Sequence, residues 1–136
     1  MEVTIRHLGN VQFEASARGH GVICDQPPEN GGSDQGMTPP EFLLASLGTC
    51  AGFYAAQYLK ARALPAAGLE ITVHAEKATQ PARVGMFRIE VFVPELDPHH
   101  EAGILRAVKA CLIHNTLLHA PAIETVVRTT AEAHVG

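Results

Sequence analysis

Cysteine offers the most reactive chemistry in this sequence, at Cys24, Cys50 and Cys111. Cys50 sits among small residues, Gly48, Thr49, Ala51 and Gly52, inside a long uncharged run. Cys111 is followed three residues later by His114, a spacing that puts both on one side of a helix. An imidazolium there would lower the thiol pKa. The same pair could give two ligands to a metal, but no other residues have ligand spacing, so no metal is expected. Thiols on the core-facing stripes of two helices could meet if those helices pack together. Both also fit as small buried hydrophobes, because free cysteine is among the most buried residue types. Spacing alone leaves these readings open. Cys24, closing a short strand, reads as a packing residue, and His99-His100 as a polar helix start. Arg18, in a glycine turn before His20, is either a solvated surface residue or, beside a buried thiol, a cation that stabilises a thiolate.

The elements that must position these groups begin with a meander over residues 1–25. Glu2–His7 and Val11–Ala17 alternate polar and apolar residues around a Gly9-Asn10 turn. Arg18-Gly19-His20-Gly21 makes a second turn before a short strand, Val22–Cys24. The stretch 26–38, rich in proline and glycine, reads as a loop, either functional or a solvated connector. Thr38, Pro39 and Glu41 then fit the N-cap, N1 and N3 places of a helix, which should run to about Arg62 and stop before Pro65.

Around that helix Leu43, Leu47, Cys50, Tyr54 and Gln57 share one side, and Gly48, Gly52 and Ala56 line the opposite one. The small row lets another backbone approach closely. A helix apolar nearly all round must be covered on most sides, and a second subunit is the natural cover for what one sheet leaves open. Leu69–Ala78 and Arg83–Val93 alternate as a strand pair. Asp97-Pro98 opens a second helix whose apolar face is Ile104, Ala107, Val108 and Cys111. Ala122–Thr130 alternates as a last strand. The expected class is α+β, one domain over 1–136 with helices on a largely antiparallel sheet, the part after the loop running helix, strands, helix, strand.

Composition narrows the function. For 136 residues the chain buries roughly two-thirds of its unfolded surface, enough for one core. With 46% hydrophobic and 18% charged residues it is not a disordered chain. A net charge of −4, only ten Lys+Arg, 5% aromatics and no Trp argue against nucleic acid as a partner. Three cysteines do not make a secreted disulfide framework. The alternating first twenty residues do not read as a signal peptide, so a cytoplasmic location is expected. The uncharged run Phe42–Leu59 is short for a membrane span and contains Ser46, Thr49 and Gln57. It reads as a buried helix, with no membrane partner.

The stretch Gly36-Met37-Thr38-Pro39-Pro40-Glu41-Phe42-Leu43-Leu44-Ala45-Ser46-Leu47-Gly48-Thr49-Cys50 resembles a signature of the OsmC and Ohr proteins. So does Cys111-Leu112-Ile113-His114-Asn115-Thr116-Leu117, and the upstream Gly19-His20, Asp25 and Gly31-Gly32 fit the OsmC-like branch. The resemblance implies an α+β fold with two long central helices, an interlocked homodimer, and two active sites at the subunit interface. It implies a cysteine-based peroxidase acting on organic hydroperoxides or hydrogen peroxide, in which Cys50 attacks and Cys111 resolves. The family's arginine aligns with Arg18 and its glutamate with Glu41. No cofactor is implied, only an external dithiol or lipoyl-type reductant. Two features depart from the pattern: Leu112 stands where proline is frequent, and Glu41 is nine rather than ten residues before Cys50. The alternative is a non-catalytic dimer that holds an apolar small molecule beside inert buried thiols. A cysteine hydrolase using His114 would need a third group to orient the imidazole.

Overall fold

The computed structural model describes residues 1–130. Its N-terminal region is a three-stranded antiparallel meander of β1 (Thr4–Gly9), β2 (Gln12–Ala17) and β3 (His20–Cys24). The first turn holds Asn10 as expected. The second is tighter than the sequence suggested: only Arg18 and Gly19 turn, with φ of 52° and 80°, and His20 already pairs with Ala17. Two successive positive φ angles match the right-handed twist of a two-residue hairpin.

The stretch 26–38 is mostly exposed, yet it is tied down at its base. Asp25, 1% exposed, is a hub for it. Its Oδ1 accepts from the Gln26 amide at 2.7 Å, and its Oδ2 accepts from the Ser33 amide at 3.3 Å, the Gln35 amide at 3.1 Å and Gln12 Nε2 at 3.3 Å. These bonds hold the carboxyl below its ordinary pKa, the Gln26 amide contributing most, against a burial effect of opposite sign. The loop closes so tightly on β3 that a Cβ at Gly36 would collide with the Ile23 carbonyl. One turn of 3₁₀ helix, Pro28–Asn30, lies within it.

α1 runs Pro39–Ala61, as the capping residues predicted. Its buried seam is Leu47, Ala51, Ala55 and Leu59, at four-residue spacing, running from the Leu47 side toward the glycine row. The glycine row does allow a close approach, but its neighbour is a strand of the same chain. A Cβ at Gly48 would stand 3.0 Å from Val73 Cγ2, and one at Gly52 3.4 Å from Ile71 Cγ1. That strand is β4 (Glu70–Ala78), antiparallel to β5 (Arg83–Phe92) in a separate two-stranded sheet. Ile71, Ile89 and Val91 turn toward α1, closing a core that includes Ile104 and Val108.

The second helical segment departs from expectation. Asp97 accepts from the His99 amide at 3.1 Å and opens a 3₁₀ turn, and α2 then spans Glu101–Lys109. The chain breaks out of the helix at Ala110, and a separate short helix, α3, covers Leu112–Leu118. Cys111 is therefore not on the face of a continuous helix. The expected last strand, Ala122–Thr130, does not form a strand among the described residues, and Ile123 is 86% exposed. The fold is α+β, with two small antiparallel sheets and three α-helices among the described residues.

Candidate active site

Cys50 lies mid-way along α1, beside the buried seam, and is half-buried. Cys111 is the N-cap of α3, with φ −58° and ψ 132°, and is fully buried. Its Sγ accepts from the His114 amide at 3.5 Å. Leaving the helix at Ala110 is what turns this side chain inward against α1, because an N-cap residue has extended ψ while the next residue begins a new turn.

The two thiols meet. Burial pushes the Cys111 thiol up, and the neighbouring Cys50 thiol adds to the rise, against the lowering effect of the His114 and Ile113 amides. Cys50 is the more accessible of the two sulfurs, and both are free. Two sulfurs in contact, one reachable and one sealed, can exchange between a dithiol and a disulfide without long-range movement.

The other two expected site residues stand elsewhere. Arg18, at the exposed tip between β2 and β3, makes no hydrogen bond or ion pair with the described residues. Glu41 caps α1: one carboxylate oxygen accepts from the Thr38 amide at 3.0 Å and from Thr38 Oγ1 at 2.9 Å. Those bonds lower its pKa, the Thr38 amide contributing most. Nine residues of helical rise place it about 13 Å along the axis from Cys50.

Of the residues that share the Cys50 side of α1 by periodicity, Leu47 lines a cavity, together with Val84, Phe87, Ile89, His114 and Leu117. A neighbouring cavity of about 640 Å³ between β5 and α2 shares Phe87, Ile89 and His114 and adds Val91, Ile104 and Leu105. The strand-pair alternation that put Phe87 and Ile89 on the inner face was the available signal for this wall. His114 lies at the junction of both cavities, and its Nδ1 is buried without a hydrogen-bond partner. The orienting group that a cysteine hydrolase requires is thus missing among the described residues. No cluster of three or more His, Cys, Asp or Glu side chains could hold a metal ion among them.

The family model for OsmC-like protein matches residues 31–126, which includes both cysteine motifs. The chain belongs to the OsmC-like family. Solved OsmC-family structures share the fold. A protein from Psychrobacter arcticus 273-4, described as osmotic stress induced and of the detoxification response, is 20% identical with a TM-score of 0.77, covering 84% of this chain and 85% of that one. An OsmC like protein from Mycoplasma pneumoniae is 21% identical, TM-score 0.69, over 88% and 87% of the two chains. An organic hydroperoxide resistance protein OsmC from Legionella pneumophila is 15% identical, TM-score 0.61, over 87% and 88%. No curated protein matches the chain.

Proposed function

We propose that this OsmC-like protein is a thiol-dependent peroxidase of organic hydroperoxides or hydrogen peroxide, serving oxidative-stress defence in the cytoplasm. The observation that carries the reading is the contact between a half-buried Cys50 and a sealed Cys111 on matching family motifs. Cys50 as thiolate attacks the terminal peroxide oxygen. An S–O bond forms, the O–O bond breaks, and the alcohol leaves with one proton. Cys111 then condenses with the sulfenic acid, releasing water and leaving the Cys50–Cys111 disulfide. An external dithiol, a lipoyl group or a small thiol, reduces the disulfide by exchange. No metal or organic cofactor enters this cycle.

An attacking thiolate needs a cation, and α1 carries no charge from Phe42 to Leu59. Arg18 is the group we assign to this task. It is presented at the exposed tip of the β2–β3 turn, and its planar fork can pair with both a thiolate and a peroxide oxygen. The meander that carries it packs apart from the thiols, so a second chain would supply it. That fits the homodimer we infer from the open faces of the single chain: Phe53 on α1 is 58% exposed, and every residue of β1 is exposed. Glu41 is then a helix cap first, and a partner of arginine only in such an assembly.

The 640 Å³ apolar cavity favours the second reading, a non-catalytic dimer that holds an apolar ligand. Dimedone trapping separates the two. Cys111→Ser should give one turnover and a trapped Cys50 sulfenic acid, and Cys50→Ser should consume no peroxide. A Cys111→Ser protein that cycles at full rate with a dithiol would remove Cys111 from the resolving role. The binding module predicts no sulfenic acid in any variant.

A further inference from the structure

The core that joins α1, α2, β4 and β5 takes no residue from the meander. Among the described residues, the tie between the meander and the thiol region runs chiefly through the stretch 25–38, and that stretch is gathered on one residue. The Asp25 carboxylate accepts from Gln12 of β2 and from the Gln26, Ser33 and Gln35 amides. The Asp25 amide donates to the Met37 carbonyl at 3.2 Å, and Met37 adjoins Thr38, the N-cap of α1. Glycine makes the closure possible: a Cβ at Gly32 would collide with the Gln26 carbonyl and stand 2.8 Å from Asp25 Oδ1. Asn10, in the β1–β2 turn, adds a bond from its Nδ2 to the Gly31 carbonyl at 2.6 Å. One buried residue thus fastens β2, the end of β3, the loop and the entry to α1.

We propose that Asp25 is a positioning residue for the attack on peroxide: by locking the meander to the start of α1, it sets where the Arg18 tip falls relative to a Cys50 thiol. This inference rests on the peroxidase reading above, with Arg18 as its cation, and deepens it. Asp25 touches neither substrate nor sulfur. It acts through the angle between two rigid parts, β3 on one side of the joint and α1 on the other.

Leverage makes the fastening matter. At about 3.3 Å per residue, β3 carries the Arg18 tip roughly 17 Å from Asp25. A rotation of about 10° at the joint would swing that tip by about 3 Å, whereas a working group must be held within about 0.5 Å of its place. In the homodimer inferred above, symmetry fixes one α1 against the other, so the angle between a meander and its own α1 decides where Arg18 falls on the partner. A carboxylate suits the joint because its two oxygens offer about four acceptor sites and no donor, and the side chain of Gln12 and three amides converge on it. Asparagine in that place would turn an NH2 group toward donors and leave amides unpaired.

The test is a double-mutant cycle on the full chain with one equivalent of cumene hydroperoxide. Dimedone trapping reads formation of the Cys50 sulfenic acid, intact mass after acid quench reads its conversion to the disulfide, and iodoacetamide alkylation across pH reads the Cys50 thiolate. Asp25→Asn should slow sulfenic acid formation about three- to tenfold, no more than Arg18→Ala does, and raise the pH at which Cys50 is alkylated. Conversion to the disulfide should keep the parent's rate, because both sulfurs lie on the far side of the joint from the meander. In the Arg18→Ala background, Asp25→Asn should add no further slowing. Gln12→Met removes only the bond from β2 and should act in the same direction to a smaller extent; it takes the place of Asp25→Asn in the cycle where that protein does not fold. A folded variant with the parent's rate and alkylation profile overturns the inference, and so does equal slowing with and without Arg18. An Arg18→Ala protein as fast as the parent also overturns it and leaves the peroxidase reading standing. A parent that forms no sulfenic acid overturns the peroxidase reading, and the inference with it.

Discussion

The thiol-bearing region and the N-terminal meander are held together by different forces. From Pro39 to Leu118 apolar side chains interlock: Leu59 and Ala55 of α1 are sealed against Ile104 and Val108 of α2, with β4 and β5 packed on the same core. From Thr4 to Cys24 a ladder of backbone bonds does the organising, β1 exposes every residue, and the sealed group at its end is the Asp25 carboxylate. Chemistry that needs two sulfurs in contact sits where packing fixes positions to within a methyl group. The one expected cation sits on a hairpin tip, free to be offered to another chain. A rigid nucleophile pair and a presented cation are what the proposed reaction divides between them.

The largest expected effect is on the packed region. Leu59→Ala removes a fully buried side chain from the seam between α1 and α2, and should lower stability by about 2–5 kcal/mol in urea unfolding. A loss no larger than that of an exposed substitution would mean that this region, like the meander, is held by its backbone.

Arg18→Ala is the next largest and targets the other region. It should slow peroxide reduction about tenfold, about 1.4 kcal/mol in the barrier, and raise the pH at which Cys50 is alkylated, with the melting temperature unchanged. An unmoved alkylation profile would give the cation role to another residue and leave the meander without a part in the chemistry.

The smallest effect concerns acid. The Asp25 carboxyl has a lowered folded pKa, so the stability it contributes is fully present above the ordinary carboxylate range and is lost as pH falls through the lowered folded value. Proteolysis within 26–38 should therefore stay slow at pH 5 and accelerate only below about pH 4, where an unfolded aspartate protonates. Asp25→Ala should cut readily at all pH values. Equal protection in the variant would show that the loop is held by something other than its carboxylate hub.

The contrast also explains what could be read without coordinates. The start of α1 was legible because Thr38, Pro39 and Glu41 act through contacts within one turn. The β4–β5 pair was legible from alternation alone, and its inner residues Ile71, Ile89 and Val91 do face the core. The Asp25 hub was not, because its donors come from Gln12, Gln26, Ser33 and Gln35, a set that only the fold assembles. The glycine row of α1 was correctly seen as a place of close approach, but a helical wheel carries no information on the neighbour, here Ile71 and Val73. The break at Ala110 escaped because neither glycine nor proline marks it. The N-cap bond from the His114 amide to Cys111 Sγ is a weak local signal. The alternation of Ala122–Thr130 is real, but alternation records only a pattern of side chains, and the stretch forms no strand among the described residues.

The central claim is that the sulfurs of Cys50 and Cys111 form one redox pair. Intact mass spectrometry with peptide mapping, before and after one equivalent of hydroperoxide, tests it most directly. The account predicts the loss of two hydrogens and a crosslink joining the Cys50 and Cys111 peptides, with Cys24 still alkylatable. An unchanged mass, or oxygen added at Cys24 with Cys50 and Cys111 both still free, would contradict it.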